Sequence, residues 1–150
     1  MKNFWGYFVG AVFIGGLVTF FVAPRPEPTG HSMTATDTSA LDEGDPIVLV
    51  NVPAELSMNA QIGKMAFEAK CADCHGVNAA GQNGVAPPLV HKIYEPGHHG
   101  DEAFWIATQR GVQSHHWRFG NMPAVEGLTR ADVKMIVSYV RELQRTNGIN

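Results

Sequence analysis

The spacing of apolar positions changes along the chain and divides it into three parts. Residues 4–22 are apolar and carry no charge, and at 1.5 Å per residue their length nearly matches a hydrocarbon core of about 30 Å. This pattern predicts a transmembrane helix over residues 1–23. A cleaved secretory signal is the alternative, but its apolar region is shorter and needs a small-residue cleavage sequence close by.

Residues 24–56 have a different composition, which predicts an acidic linker. They are rich in Pro, Thr and Ser and contain one Arg against six Asp or Glu. Residues 24–46 hold too few large apolar side chains to fold alone, so we expect a flexible tether. Residues 47–52 are apolar and β-branched before Pro53, and form either a short edge strand or an extended lead-in to the domain; we favour the lead-in.

A helical pattern begins after Ser57, which is a suitable N-cap residue. Apolar residues then recur at the spacing of one helix face, in Ile62, Met65, Ala66 and Ala69. The pattern predicts a first helix that ends close to Cys71.

Residues 101–110 form a second candidate helix. Two acids open the segment, which suits a helix N-terminus, and Gly111 follows as a C-terminal glycine. Its apolar members are Phe104, Ile106 and Ala107.

The last helix has the clearest sequence pattern. Thr129 and Asp132 resemble a capping box, and the helix should end near Thr146. An apolar stripe follows the cap, in Val133, Ile136, Val137 and Val140.

Long polar and glycine-rich loops, residues 76–100 and 112–128, separate these helices. Such loops are unusual in a small domain. A large apolar cofactor would explain them by replacing part of the missing core, so we predict an all-α domain over residues 57–150 built around a cofactor.

Two cysteines and a histidine form the motif that identifies this cofactor. The segment Cys71-Ala72-Asp73-Cys74-His75 has the spacing of a c-type haem attachment site, with two thiols for the vinyl groups and His75 beside the iron. A zinc site or a redox dithiol would need further ligands or a βαβ pattern, and neither is visible. The sequence therefore predicts one covalent haem.

Met122 is the candidate for the second axial position on the iron. It precedes Pro123 in a loop, and a thioether is a soft ligand that raises the reduction potential. The other methionines lie in the anchor, the linker or predicted helices, where methionine is more often a packing residue. We expect His75 and Met122 to be the iron ligands.

Over residues 57–146 the sequence resembles the class I c-type cytochromes. The resemblance implies a small cytochrome c fold of about three to four helices around one haem c. Gly63 and Phe67 in the first helix, with Ile136 and Tyr139 in the last, resemble the glycine and aromatic pairing through which the terminal helices of that family cross.

The same resemblance extends to residues 86–89. This segment is similar to the Pro-x-Leu segment of the family and implies that the Pro87 carbonyl accepts the second ring N–H of His75, while Leu89 covers the porphyrin. Such a bond fixes the tautomer of the ligating imidazole. Because Pro88 follows Pro87, the register is open by one residue.

The resemblance also suggests a location and partners. Haem attachment in the family takes place outside the cytoplasm, which implies a single-pass protein of the bacterial inner membrane with its C-terminal haem domain in the periplasm. We expect a mono-haem electron carrier of the respiratory chain rather than an enzyme. A quinol-oxidising cytochrome complex would be the donor, and a terminal oxidase or periplasmic reductase the acceptor; no nucleic acid is expected.

Five histidines between the haem motif and Met122 leave alternatives open: His91, His98, His99, His115 and His116. They can hydrogen-bond haem propionates and loop carbonyls, together with Trp105, Trp117 and Arg118. They can also form a second copper or zinc site if the two pairs meet, or one of them can replace Met122. A haem module that binds or senses a small ligand is the alternative function.

Overall fold

The computed structural model describes residues 33–150, and the elements in this range are helical. The helices are α1 (Met58–Lys70), α2 (Ala72–His75), α3 (Asp101–Arg110) and α4 (Arg130–Thr146), with two short 3₁₀ helices at Val77–Ala79 and Lys92–Tyr94. Within the described range the small all-α domain with four α-helices is confirmed.

The predicted anchor, residues 1–23, lies outside the described residues. The first part of the predicted linker, residues 24–32, lies outside them as well. Among the helices of residues 33–150, none combines the length and the apolar character that a membrane crossing requires. The transmembrane helix therefore stays a prediction.

Helices α1 and α4 cross in close contact, as the family resemblance implied. A Cβ atom added to Gly63 would lie 1.9 Å from the Met135 carbonyl oxygen, so only glycine permits this approach. Beside the crossing, the rings of Phe67 and Tyr139 lie 5.6 Å apart, centroid to centroid, at 58°. A tilted aromatic pair of this kind contributes about 0.5–1.5 kcal/mol beyond its buried area.

Helix α1 has the predicted bounds but buries a different face. Ser57 caps it by accepting a hydrogen bond from the Ala60 amide at 3.3 Å. The buried residues are Ala60, Gly63 and Phe67, whereas Ile62 and Met65 are 46% and 63% exposed. Of the predicted apolar stripe, Ala66 packs against the core, but Ile62, Met65 and Ala69 are exposed. That part of the prediction was wrong because the close crossing at Gly63 sets the face that meets α4.

Helix α4 confirms its prediction in detail. Thr129 accepts a hydrogen bond from the Asp132 amide, and the Asp132 carboxylate accepts one from the Thr129 amide at 2.9 Å, which completes the capping box. The four residues of the predicted stripe are all buried, in Val133, Ile136, Val137 and Val140.

Helix α3 has the predicted bounds, but its apolar face is only partly as expected. Phe104 packs against the main core, whereas Ile106 is 47% exposed. Thr108 is buried instead, and its hydroxyl donates to the Trp105 carbonyl at 2.9 Å. The threonine satisfies its own hydroxyl within the helix and can therefore occupy an inward position.

Residues 33–56 pack on the domain, in contrast to the free tether expected for residues up to 46. Ile47 belongs to a second small core with Ile93 and Trp117, and Met33, Ala35 and Leu41 pack against it. Asn83 bonds this segment through its side chain to the Leu41 carbonyl and through its amide to the Asp45 carbonyl. Few apolar residues suffice here because the loop at residues 80–83 supplies hydrogen-bond partners.

Residues 47–52 form no strand, so the extended lead-in was the correct alternative. The amides of Ile47 and Val48 both donate to the Ala80 carbonyl at 3.2 Å. These bonds hold the lead-in against the loop that follows α2.

Candidate haem-binding site

The two cysteines and His75 lie on and beside the single turn of α2. Cys71 ends α1 and precedes α2, while Cys74 and His75 lie within α2. The two cysteines form no disulfide with each other, and Cys74 is exposed. Burial, followed by the neighbouring Cys74, raises the pKa of the Cys71 thiol to about 11. Attachment to a haem vinyl group would leave Cys71 as an apolar thioether.

The imidazole of His75 is oriented by one hydrogen bond. Its Nδ1 donates to the Pro87 carbonyl oxygen at 2.8 Å, since a carbonyl can only accept. The Nε2 atom of the neutral ring therefore carries the lone pair that an iron ligand requires. Burial lowers the pKa of His75, and the bond to Pro87 opposes this in part.

The structure resolves the register of the double proline. Pro87 contributes the acceptor, as expected, and Pro88 is buried behind it. Leu89 is partly buried against the main core, and its amide donates to the Ala79 carbonyl at 2.9 Å. The segment thus connects His75 with the core, and the role of Leu89 toward a porphyrin stays a prediction.

Met122 lies on a separate segment with a fixed backbone. Its amide and carbonyl pair with those of Val112 at 3.0 and 2.9 Å in an isolated antiparallel bridge. Gly111, at φ +71°, makes this approach possible, because a Cβ there would lie 2.4 Å from the Met122 carbonyl oxygen. The Met122 side chain is partly buried.

The buried indole N–H of Trp117 makes no well-formed hydrogen bond among the described residues. Its polar neighbour is the Tyr94 hydroxyl, whose pKa burial raises to about 12 and a side-chain interaction with the indole lowers in part. A haem carboxylate would be a stronger acceptor for this N–H than a neutral hydroxyl. The two cysteines and the oriented imidazole fit haem c.

Two of the histidines bond loop carbonyls, as predicted, whereas His91 bonds a loop amide and a hydroxyl instead. His91 accepts from the Ile93 amide at 3.2 Å and pairs with the Thr36 hydroxyl, while His99 Nδ1 donates to the Ile93 carbonyl at 2.6 Å. His115 Nδ1 donates to the Gln113 carbonyl at 2.9 Å.

The two histidine pairs also meet in space. The ring centroids of His98 and His116 are 5.2 Å apart, and those of His99 and His115 are 6.0 Å apart. Burial lowers the pKa of His99 and His116, and neighbouring imidazoles lower both further. The sequence had raised this encounter only as a condition for a second metal site, because loop geometry cannot be read from spacing.

A buried arginine fixes the loop that carries His98 and His99. Arg141 of α4 donates to the carbonyls of Tyr94 and His99, each at 2.6 Å, and its Nε lies 2.9 Å from an Asp101 carboxylate oxygen. Sequence analysis did not single out this residue. Its position within the buried stripe of α4 was the available signal, because a charge there needs buried partners.

Together these features describe a helical domain with a local Cys-x-x-Cys-His turn whose residues fit a covalent haem. The cytochrome c family model matches residues 60–144, more than half of the chain, and the chain belongs to the cytochrome c family. It is therefore a haem c protein, and proteins of the cytochrome c family transfer electrons.

One curated relative refines this assignment. The chain is 28% identical over 127 residues to the cbb3-type cytochrome c oxidase subunit FixP of Azorhizobium caulinodans, which covers 72% of the chain and 40% of the relative. The chain thus spans less than half of that subunit's length. No solved structure matches the chain significantly.

Proposed function

We propose that this protein is a membrane-tethered, mono-haem electron carrier with His75 and Met122 as its axial ligands. The observation that carries the proposal is the pairing of Val112 with Met122, which holds a soft sulfur ligand on fixed backbone. A carrier needs both axial positions filled, whereas a peroxidase or a gas sensor needs one that opens. A haem bound here supplies an iron that exchanges one electron.

The chain's own residues prepare the site for that exchange. Pro87 holds the His75 ring in one tautomer and makes its Nε2 more basic. The bridge between Val112 and Met122 limits movement of the opposite ligand. Ligands that keep their positions in both oxidation states reduce the rearrangement that accompanies electron transfer.

The proposed partners are a quinol-oxidising cytochrome complex as donor and a terminal oxidase, or a periplasmic reductase, as acceptor. The relative FixP is by its name a subunit of a cbb3-type oxidase, which supports an oxidase on the acceptor side. An anchor at residues 1–23 would keep the haem domain at high local concentration near such membrane partners. We place the haem domain on the periplasmic side of the inner membrane.

Replacing the proposed sulfur ligand tests the carrier function. Met122→Ala should abolish the sulfur-to-iron charge-transfer band in the far-red spectrum and lower the midpoint potential by on the order of 0.1 V. Met122→His should restore six-coordination without the band. Met65→Ala is the matched control, since Met65 is 63% exposed on α1, and it should keep both properties. Persistence of the band in Met122→Ala would exclude Met122 as the ligand.

Deleting residues 1–23 tests the anchor separately. The truncated protein should leave the membrane fraction and slow membrane respiration, because it loses proximity to its partners. Its haem spectrum should match that of the full-length protein. If the truncated protein stays in the membrane fraction, or respiration is unchanged, the tethering proposal is wrong while haem ligation is unaffected.

A further inference from the structure

We propose that His98, His99 and His116 form a binding site for a divalent transition-metal ion of the zinc or copper(II) type, separate from the haem. One ring nitrogen from each of the three lies within 4.8 Å of the others. The inference rests on this geometry and is independent of the proposed electron-carrier function.

The closest pair of these atoms already has the separation that an ion needs. The Nε2 atoms of His98 and His116 are 3.2 Å apart. Two nitrogens that each lie about 2.0–2.1 Å from one tetrahedral ion are separated by about 3.3 Å. The two nitrogens share a hydrogen bond, so one of them carries a proton that must move to its Nδ1 before both can ligate an ion, while their separation need change little.

His99 is prepared to act as the third ligand. Its Nδ1 donates to the Ile93 carbonyl at 2.6 Å, which leaves the lone pair on Nε2. A carbonyl bonded to the non-ligating nitrogen is the usual arrangement for a metal-binding histidine, because it fixes both tautomer and ring orientation. Arg141 holds the backbone of the same residue through its carbonyl.

The chemistry of the group defines the class of ion. All three ligands are imidazoles, which suit zinc and copper(II), whereas Mg²⁺ and Ca²⁺ require oxygen ligands. The guanidinium of Arg141 is the nearby positive charge, and the Asp101 carboxylate at 2.9 Å balances it. Because His98 is exposed, an ion can reach the site from solvent and keep water as a further ligand.

A bound ion would add a link between two loops that already meet through Ile93 and Trp117. His98 and His99 precede α3, and His116 follows it on the segment that leads to Met122. The ion would thus stiffen the approach to Met122.

Titration of the full-length holo-protein with ZnCl₂, followed calorimetrically, tests the site. We expect one Zn²⁺ to bind with a dissociation constant on the order of micromolar, and a large excess of Mg²⁺ not to compete. His98→Asn and His116→Asn should each weaken Zn²⁺ binding at least tenfold. Zn²⁺ should also raise the thermal unfolding midpoint of the wild-type protein, because it binds only the folded state.

His91→Asn is the matched control. His91 lies outside the three-histidine group, and asparagine can keep its cap on the Ile93 amide. The control should retain full Zn²⁺ affinity, and all variants should retain the haem spectrum. Absence of saturable binding up to about 100 times the expected constant, or equal loss in His91→Asn and His98→Asn, would overturn the proposal.

Discussion

A glycine beside the Met122 backbone shows how a single residue type positions a functional side chain. Gly111 has φ +71°, and the space where a Cβ would lie is occupied by the Met122 carbonyl oxygen at 2.4 Å. An L-residue would meet both backbone strain and a steric clash with an atom that cannot rotate away. The position of Met122, the proposed sulfur ligand, therefore depends on the absence of a Cβ atom at Gly111.

Gly111→Ala should move Met122 and weaken the sulfur-to-iron band, because the bridge between Val112 and Met122 must open. Gly120→Ala is the matched control: Gly120 has φ +93° but no atom within 4 Å of its Cβ position. The control should bear a similar backbone strain of about 1–2 kcal/mol and keep the band. Far-red absorption and redox titration of both variants measure the difference, and equal loss of the band would contradict the steric explanation.

Residue chemistry could be predicted where the signal is local. Cys71, Cys74 and His75 lie within five consecutive residues, so their spacing alone indicates the attachment turn. The meeting of His98 with His116 depends on a loop that folds back over 18 residues. Hydrophobic periodicity does not indicate where a loop folds back, so the sequence could suggest such a contact only as a possibility.

At the scale of elements, the crossing of α1 and α4 determines which faces are buried. The bounds of all three longer helices follow from caps and periodicity, and the structure has them as predicted. The apolar stripe of α1 was misjudged because a glycine, which adds nothing to hydrophobic periodicity, marks the contact. The exposed Ile62 and Met65 show that helix amphipathicity alone does not define the interface.

Gly63→Ala should destabilise the holo-protein strongly. Its Cβ would lie 1.9 Å from the Met135 carbonyl oxygen, so the two helices would have to separate. Overpacking of this kind costs about 1–3 kcal/mol of unfolding free energy, and we expect Gly63→Ala to lose an amount at or above the upper end of that range. Denaturant unfolding gives the free energy, with Gly97→Ala as a control that has no atom within 4 Å of the added Cβ. Equal stability of the two variants would show that the crossing can relax.

At the scale of the whole molecule, the long loops of residues 33–150 are packed by scattered contacts and not by a sheet or further long helices. The lead-in, the 3₁₀ helix Lys92–Tyr94 and Trp117 form a second core beside the helical one. The sequence indicated a cofactor from these loops but did not predict that residues 33–46 would pack on the domain. The difference arises because hydrogen bonds to Asn83 add to the few apolar contacts of Met33, Ala35 and Leu41 in holding that segment.

The buried tyrosines make stability sensitive to alkaline pH. Burial raises the pKa of both Tyr94 and Tyr139 to about 12, with Glu68 adding to the rise at Tyr139. In the unfolded chain tyrosine ionises near about 10, so between these values the folded state binds more protons. Ionisation of these two tyrosines should not change the free energy of unfolding below about pH 10, and it should lower that free energy as the pH rises toward 12.

Tyr94→Phe should reduce this alkaline dependence, since it removes one of the two raised groups. Denaturant unfolding of wild type and variant at several pH values between neutral and strongly alkaline would measure the slope. Tyr94 is preferred to Tyr139, whose hydroxyl also donates to Asn78 at 3.0 Å and would lose that bond. An unchanged slope in Tyr94→Phe would mean that Tyr94 ionises as freely in the folded protein as in the unfolded chain.

The close contact between α1 and α4 has a consequence for how the protein is made. The two helices lie near opposite ends of the domain's sequence, although they are in contact in the folded protein. The buried face of α1 is covered by α4, which ends at Thr146. During synthesis α1 therefore emerges long before the surface that completes it. We therefore expect the segment around Cys71 to remain accessible for haem attachment until α4 packs on α1.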